Sequence, residues 1–158
     1  MRTLATWGTR IAIVLAGVMS LVTQVFIIPL MSYEVVREFP EFAYLQPLGI
    51  VGCLVIVLCF QVMLVCLWML VTLTSRGRVF SPIAFRYVDV MTAASAAIAV
   101  LSLVAFAILA PQGAINPGVM ILVFLGTVAG LGAAALLMVM RGLLHQATTM
   151  RAEWDEVV

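Results

Sequence analysis

Apolar residues run almost unbroken through 11–31, 48–74, 90–110 and 117–140, and polar residues collect in the short stretches between. A helix rises about 1.5 Å per residue, so a bilayer core about 30 Å thick needs roughly 20 apolar residues to be crossed. Each run is long enough to cross once. The pattern predicts an all-α polytopic membrane protein: four transmembrane helices in an antiparallel bundle, a single domain over 1–158. The second run exceeds the hydrocarbon thickness, so it must tilt or extend past the bilayer. Pro29 predicts a kink near the outer end of the first run, with helical composition resuming over 32–39.

Past the fourth run the periodicity changes. Leu136, Met140, Leu143, Ala147, Met150, Trp154 and Val157 recur in alternating steps of four and three. That is the spacing of a coiled-coil seam, and it predicts that the fourth helix continues into a polar tail, 141–158. The seam needs an apolar cover: the long second helix, a second copy, or a partner protein.

Composition agrees with a membrane chain, at 65% hydrophobic and 9% charged. The charges set the expected orientation. All eight basic residues are Arg, and only Arg37 falls apart from the rest. Arg2, Arg10, Arg76, Arg78, Arg86, Arg141 and Arg151 lie on one side of the spans. Short basic segments stay in the cytoplasm, which places both termini and the 75–89 loop there, in the cell membrane. The first run is too long for a signal-peptide core and lacks a small-residue cleavage site, so it is expected to be retained.

Polar residues inside the spans are few. Gln24 and Gln61 are amides that seek partners in lipid, read as interhelical packing, with a polar path as the alternative. Gly126 and Gly130 have the four-residue spacing that lets helices approach closely, within the chain or in a homodimer. Cys53, Cys59 and Cys66 share one helix and read as small packing residues. His145, the single His, has no nucleophile or carboxylate suited to catalysis beside it. No carboxylate, Lys or His lies inside a span, and no phosphate loop, GxSxG, HExxH or CxxC occurs. These absences argue against an enzyme and against an ion-coupled pump. No catalytic residue, cofactor site or metal site is assigned, and no direct nucleic-acid binding is expected.

The 75–89 loop is the densest polar segment. Ser81 and Pro82 are a good N-cap and first helical residue, so the third helix should begin there. Phe80, Phe85 and Tyr87 suit headgroup depth, and Arg78 and Arg86 suit lipid phosphates. Arg86 is placed to pair with Asp89 at i, i+3. In the outer loop, Glu34, Glu38 and Glu41 form an acidic face beside Tyr33, Phe39, Phe42 and Tyr44.

Two stretches carry a resemblance. Gly77-Arg78-Val79-Phe80-Ser81 followed by Ala84-Phe85-Arg86-Tyr87-Val88-Asp89-Val90 is similar to the loop signature of the bacterial membrane family called domain of unknown function 2975. The tail Met140-Arg141-Gly142-Leu143-Leu144-His145-Gln146-Ala147, then Arg151-Ala152-Glu153-Trp154-Asp155-Glu156-Val157, resembles the family's arginine- and leucine-rich end. Pro40-Glu41-Phe42-Ala43-Tyr44-Leu45 resembles its actinobacterial branch. The resemblance implies the fold and a membrane location, but no chemistry. Many members are encoded beside a small helix-turn-helix regulator, which implies a membrane partner that holds or releases a transcription factor. On that reading Arg76, Arg78, Phe80, Arg86, Leu143, Met150 and Trp154 form a cytoplasmic docking surface. The alternatives are a small dimeric permease or exporter lined by Gln24, Gln61, Thr92 and Ser95, and an accessory subunit packed through Gly126 and Gly130.

Overall fold

A computed structural model describes the backbone of residues 2–38, 40–75, 82–112 and 117–155. Among these residues every element is helical. The order is α1 (Arg2–Val22), a π turn (Thr23–Ile27), α2 (Ile28–Glu38), a 3-10 turn (Pro40–Leu45), α3 (Gln46–Ser75), α4 (Pro82–Leu109), a short 3-10 turn (Ala110–Gln112) and α5 (Pro117–Asp155). Four helical stretches are long and apolar enough to cross a membrane: Thr6–Glu38, Ala43–Ser75, Ile83–Leu109 and Met120–Leu143. The protein is a multi-pass membrane protein with four spans.

The first span is α1 and α2 joined without a break, and the π turn follows from Pro29. Proline offers no N–H to the carbonyl four residues back and its ring crowds that carbonyl. At the residue just before Pro29 the ladder widens: the Ile28 N–H donates to the Thr23 carbonyl, five residues back. A local π turn admits the extra residue while the helix continues on both sides. Thr23 Oγ1 donates to the Met19 carbonyl at 2.9 Å inside this segment. The helix then runs past Pro29 to Glu38, where Glu34, Arg37 and Glu38 are exposed.

Consecutive spans pack on one another in chain order, α1 on α3, α3 on α4 and α4 on α5. Contacts run in opposite senses along the first and last of these pairs, and the six residues between α3 and α4 are too few to cross back over a bilayer. Arg10 lies over Trp68 while Gln24, further along the first span, meets Gln61, earlier on the second. Gly126 meets Ser102 while Gly130 meets Ser95 and Ala99. Neighbouring helices are therefore antiparallel. Among the described residues the first and fourth spans make no comparable contact with each other, so the bundle is closed on three sides rather than four.

The tightest seam joins α4 to α5. Ala84, Val88, Met91, Ala94, Ser95, Ala99 and Ser102 are buried along α4, and Ala134 is buried on α5. Small side chains allow the two backbones to approach. A Cβ on Gly130 would lie 2.8 Å from the Ser95 carbonyl oxygen and 2.9 Å from the Ala99 amide nitrogen. Lipid is as apolar as leucine, so such close packing, rather than hydrophobic expulsion, holds membrane helices together. The large side chains lie on the outside: Leu15, Phe26, Leu58, Val65, Leu103 and Phe124 are exposed, as lipid-facing residues should be.

Candidate functional site

Three polar features are built into the apolar frame. The first joins spans one and two near mid-membrane. Gln61 Nε2 donates to Gln24 Oε1 at 2.9 Å and to Ser20 Oγ at 3.2 Å. Ser20 Oγ in turn donates to the Gly17 carbonyl at 2.8 Å. Gln24 belongs to the π turn, so the disturbance caused by Pro29 lies in the segment that meets α3. Both Gln61 amide hydrogens are thus spent inside the protein. Measured interhelical bonds of this kind average about 0.6 kcal/mol.

The second feature is a cavity of about 670 Å³ bounded by all four spans. Met19, Ser20 and Thr23 wall it from the first span, Phe60 and Met63 from the second, Ser95 and Ile98 from the third, and Gly126 and Gly130 from the fourth. It follows from the missing contact between the first and fourth spans. Its hydroxyls turn back onto their own helices: Ser95 Oγ donates to the Met91 carbonyl at 2.9 Å, with Met63 Sδ at 3.5 Å. Thr92, one helical turn from the lining residue Ser95 but outside the lining itself, donates its Oγ1 hydrogen to the Val88 carbonyl at 2.9 Å. What remains to line the space is almost wholly apolar.

The third feature is the Arg-rich end. Arg141 Nε donates to Asp89 Oδ1 at 3.0 Å, tying α5 to α4 where both leave the apolar zone. This differs from the expected Arg86–Asp89 pair. On α4 the two are helical neighbours, but Arg86 is exposed and Asp89 turns toward α5, where Arg141 is closer to hand. On the opposite flank the Arg10 guanidinium sits 5.5 Å from the centroid of the Trp68 ring. A cation over an aromatic face gains about 0.5–1 kcal/mol when exposed and more when desolvated. Arg10 Nε is buried and nothing among the described residues accepts its hydrogen. A buried donor left unpaired costs roughly 1–3 kcal/mol.

The sequence-derived docking residues are distributed unevenly. Arg76, Arg78 and Phe80 lie outside the described residues, as does the Ser81 cap. Arg86 is exposed at the start of α4. Leu143 is on α5 and 60% exposed, as are its seam neighbours Leu136 at 64% and Met140 at 58%. The second helix does not cover this stretch of the seam. The side chains of Met150 and Trp154, and that of His145, lie outside the described residues, although their backbone continues α5. Gly126 and Gly130 face α4, so that edge is filled within the chain. The cysteines are free, with Cys66 buried and Cys53 exposed. Among the described residues no group of His, Cys, Asp or Glu could hold a metal ion.

Reading by sequence missed two partners. Arg10 counted only as a topology charge, and Trp68 as one more apolar residue of the second run. Their separation in the chain hides the pairing; the only signal was an aromatic near the same membrane end as the Arg.

Neither the curated proteins nor the solved structures yield a match. A family model described as "Protein of unknown function (DUF2975)" matches residues 30–158, from within the first span through the tail. The match covers most of the chain, including the basic loop and tail segments whose residues resemble that family, and the chain belongs to the DUF2975 family.

Proposed function

We propose that this protein is a membrane-anchored regulatory protein, whose Arg-rich face and fourth-helix extension dock a soluble partner. One observation carries the reading: α5 runs unbroken for 39 residues, from Pro117 to Asp155. That is about 58 Å at a rise of roughly 1.5 Å per residue, nearly twice the hydrocarbon thickness. The apolar span ends at Leu143, so the last turns form an arm outside the bilayer. The arm's sequence keeps the apolar spacing through Ala147, Met150, Trp154 and Val157. An amphipathic helix carrying an apolar stripe is suited to helix-in-groove recognition. The Asp89–Arg141 pair fixes the base of the arm to α4.

The family resemblance points to a small helix-turn-helix regulator as the partner, held at the cytoplasmic side of the cell membrane. Arg76, Arg78 and Arg86 would orient that face against anionic headgroups. A permease for polar solutes has less support. Its proposed lining amides bond one another and its hydroxyls bond their own helices, which leaves no polar path among the described residues.

The test is affinity purification in nanodiscs from the native host, with mass spectrometry of what is retained. Three forms are compared: the full chain, a chain truncated after Arg141, and the triple variant Leu143→Ser, Met150→Ser, Trp154→Ser. A helix-turn-helix protein retained by the full chain alone supports the reading. The same protein retained equally by the triple variant refutes docking through the seam.

A further inference from the structure

The flank opposite the Asp89–Arg141 pair holds a second recognisable arrangement. Arg10, Ile13, Gly17 and Leu21 recur at steps of three and four, which places them along one face of α1. Gln61, Leu64, Val65 and Trp68 face them from α3. Ile13, Gly17 and Leu21 on one side and the α3 row on the other line a groove of about 400 Å³, open on one side and almost entirely apolar; Arg10 stands at its end, over the lining residue Trp68. Gly17 makes room for it: a Cβ there would meet nothing within 4 Å. The groove has direction. It runs from Arg10 over Trp68 at the Arg-rich end toward the Gln61 cluster near mid-membrane. The helical distance from Arg10 to Leu21 is about 17 Å, close to the depth of one leaflet of a core roughly 30 Å thick.

The end of the groove is cationic. Among the described residues nothing accepts the hydrogen of the buried Arg10 Nε, while the guanidinium is held against the Trp68 ring. No carboxylate among the described residues pairs with Arg10. An unpaired donor on a cation, at the headgroup end of a leaflet-long apolar groove, calls for a ligand with an anionic oxygen joined to a hydrocarbon chain.

We infer that the α1–α3 groove binds an anionic phospholipid, its phosphate accepting from Arg10 and one acyl chain lying along Gly17 toward Gln61. Basic pockets between transmembrane helices recognise lipid headgroups by the same chemistry. Charge complementarity selects the headgroup, and Trp68 fixes the guanidinium so that less freedom is lost on binding. The site is separate from the fourth-helix arm and does not depend on any soluble partner.

The experiment uses Trp68 as the reporter. Trp7→Phe and Trp154→Phe leave it as the sole tryptophan, since the chain has three. The protein is reconstituted in bilayers in which either phosphatidylglycerol or phosphatidylcholine carries brominated acyl chains, at equal mole fraction. Quenching of Trp68 by the brominated phosphatidylglycerol should exceed that by phosphatidylcholine several-fold. Arg10→Gln should bring the ratio to one, and Arg10→Lys should keep much of it. Gly17→Leu fills the groove and should reduce quenching by both lipids while Arg10 remains. Equal quenching by the two lipids in the parent, or an unchanged ratio in Arg10→Gln, overturns the inference. So does Trp68 shielded from both lipids, which would mean a second copy fills the groove. Native mass spectrometry of the unaltered chain, released from the same lipids, gives an independent reading: retained phosphatidylglycerol lost in Arg10→Gln supports the site, and equal retention of both lipids refutes it.

Discussion

Replacing Gly130 with Ala tests whether the α4–α5 seam is held by backbone proximity. The added methyl carbon would sit 2.8 Å from the Ser95 carbonyl oxygen, 2.9 Å from the Ala99 amide nitrogen and 3.0 Å from Ala99 Cβ. Two of these neighbours are backbone atoms of a regular helix, so no rotamer change relieves the clash, and α5 must move away from α4. Overpacking of this kind costs about 1–3 kcal/mol. At about 1.4 kcal/mol per factor of ten, the folded fraction shifts roughly 5- to 150-fold. Two neighbouring glycines calibrate the result. At Gly132 the added methyl meets nothing within 4 Å, and the helix gains about 0.8–1 kcal/mol of propensity from losing a glycine. At Gly126 the nearest atom is Ser102 Oγ at 2.7 Å. That hydroxyl now donates to the Ile98 carbonyl at 2.9 Å and can rotate away, so Gly126→Ala should fall between the other two. Reversible unfolding in bicelles by steric trapping measures all three. The expected order of stability is Gly132→Ala, then Gly126→Ala, then Gly130→Ala. Equal stability of Gly130→Ala and Gly132→Ala would refute the argument from close approach.

The remaining predictions concern the polar contacts. Gln61→Leu and Gln24→Leu should each destabilise by about 0.6–1.7 kcal/mol, and a double-mutant cycle should show that they share this energy; independent, additive effects would mean that the two amides do not bond. The Asp89–Arg141 side chains are 44% and 55% exposed, so Asp89→Asn should cost no more than about 1 kcal/mol and lose its effect in high salt. The exchanged pair Asp89→Arg with Arg141→Asp should recover most of that stability, and a loss that persists after the exchange would show that the carboxylate has another role.

Much of the architecture was legible from hydrophobic length alone. Four apolar runs, Pro82 opening the third helix, and the unbroken passage of the fourth helix into its tail are local properties, set by backbone satisfaction in lipid and by caps and periodicity. Even the resumption of helix after Pro29 was carried by composition. The π turn was not, because it depends on how the surrounding ladder absorbs the missing N–H of Pro29. The candidate site was less legible. Asp89 was matched with Arg86 because both are close in the chain, whereas Arg141 reaches it from another helix.

The amino-acid sequence by itself determined that this chain crosses a membrane four times, and it placed seven of eight Arg residues toward one side. Only the tertiary structure decided which polar groups meet. The physical reason is rotational phase. A helix that is apolar all round, as α3 and α4 nearly are, carries no stripe to say which face turns inward. That phase is set by small residues fitting against one another, Gly130 on Ser95 and Ala99 above all, and by a few hydrogen bonds. Once it is set, Gln61 finds Gln24 and Ser20, Arg141 finds Asp89, and Arg10 comes to rest on Trp68.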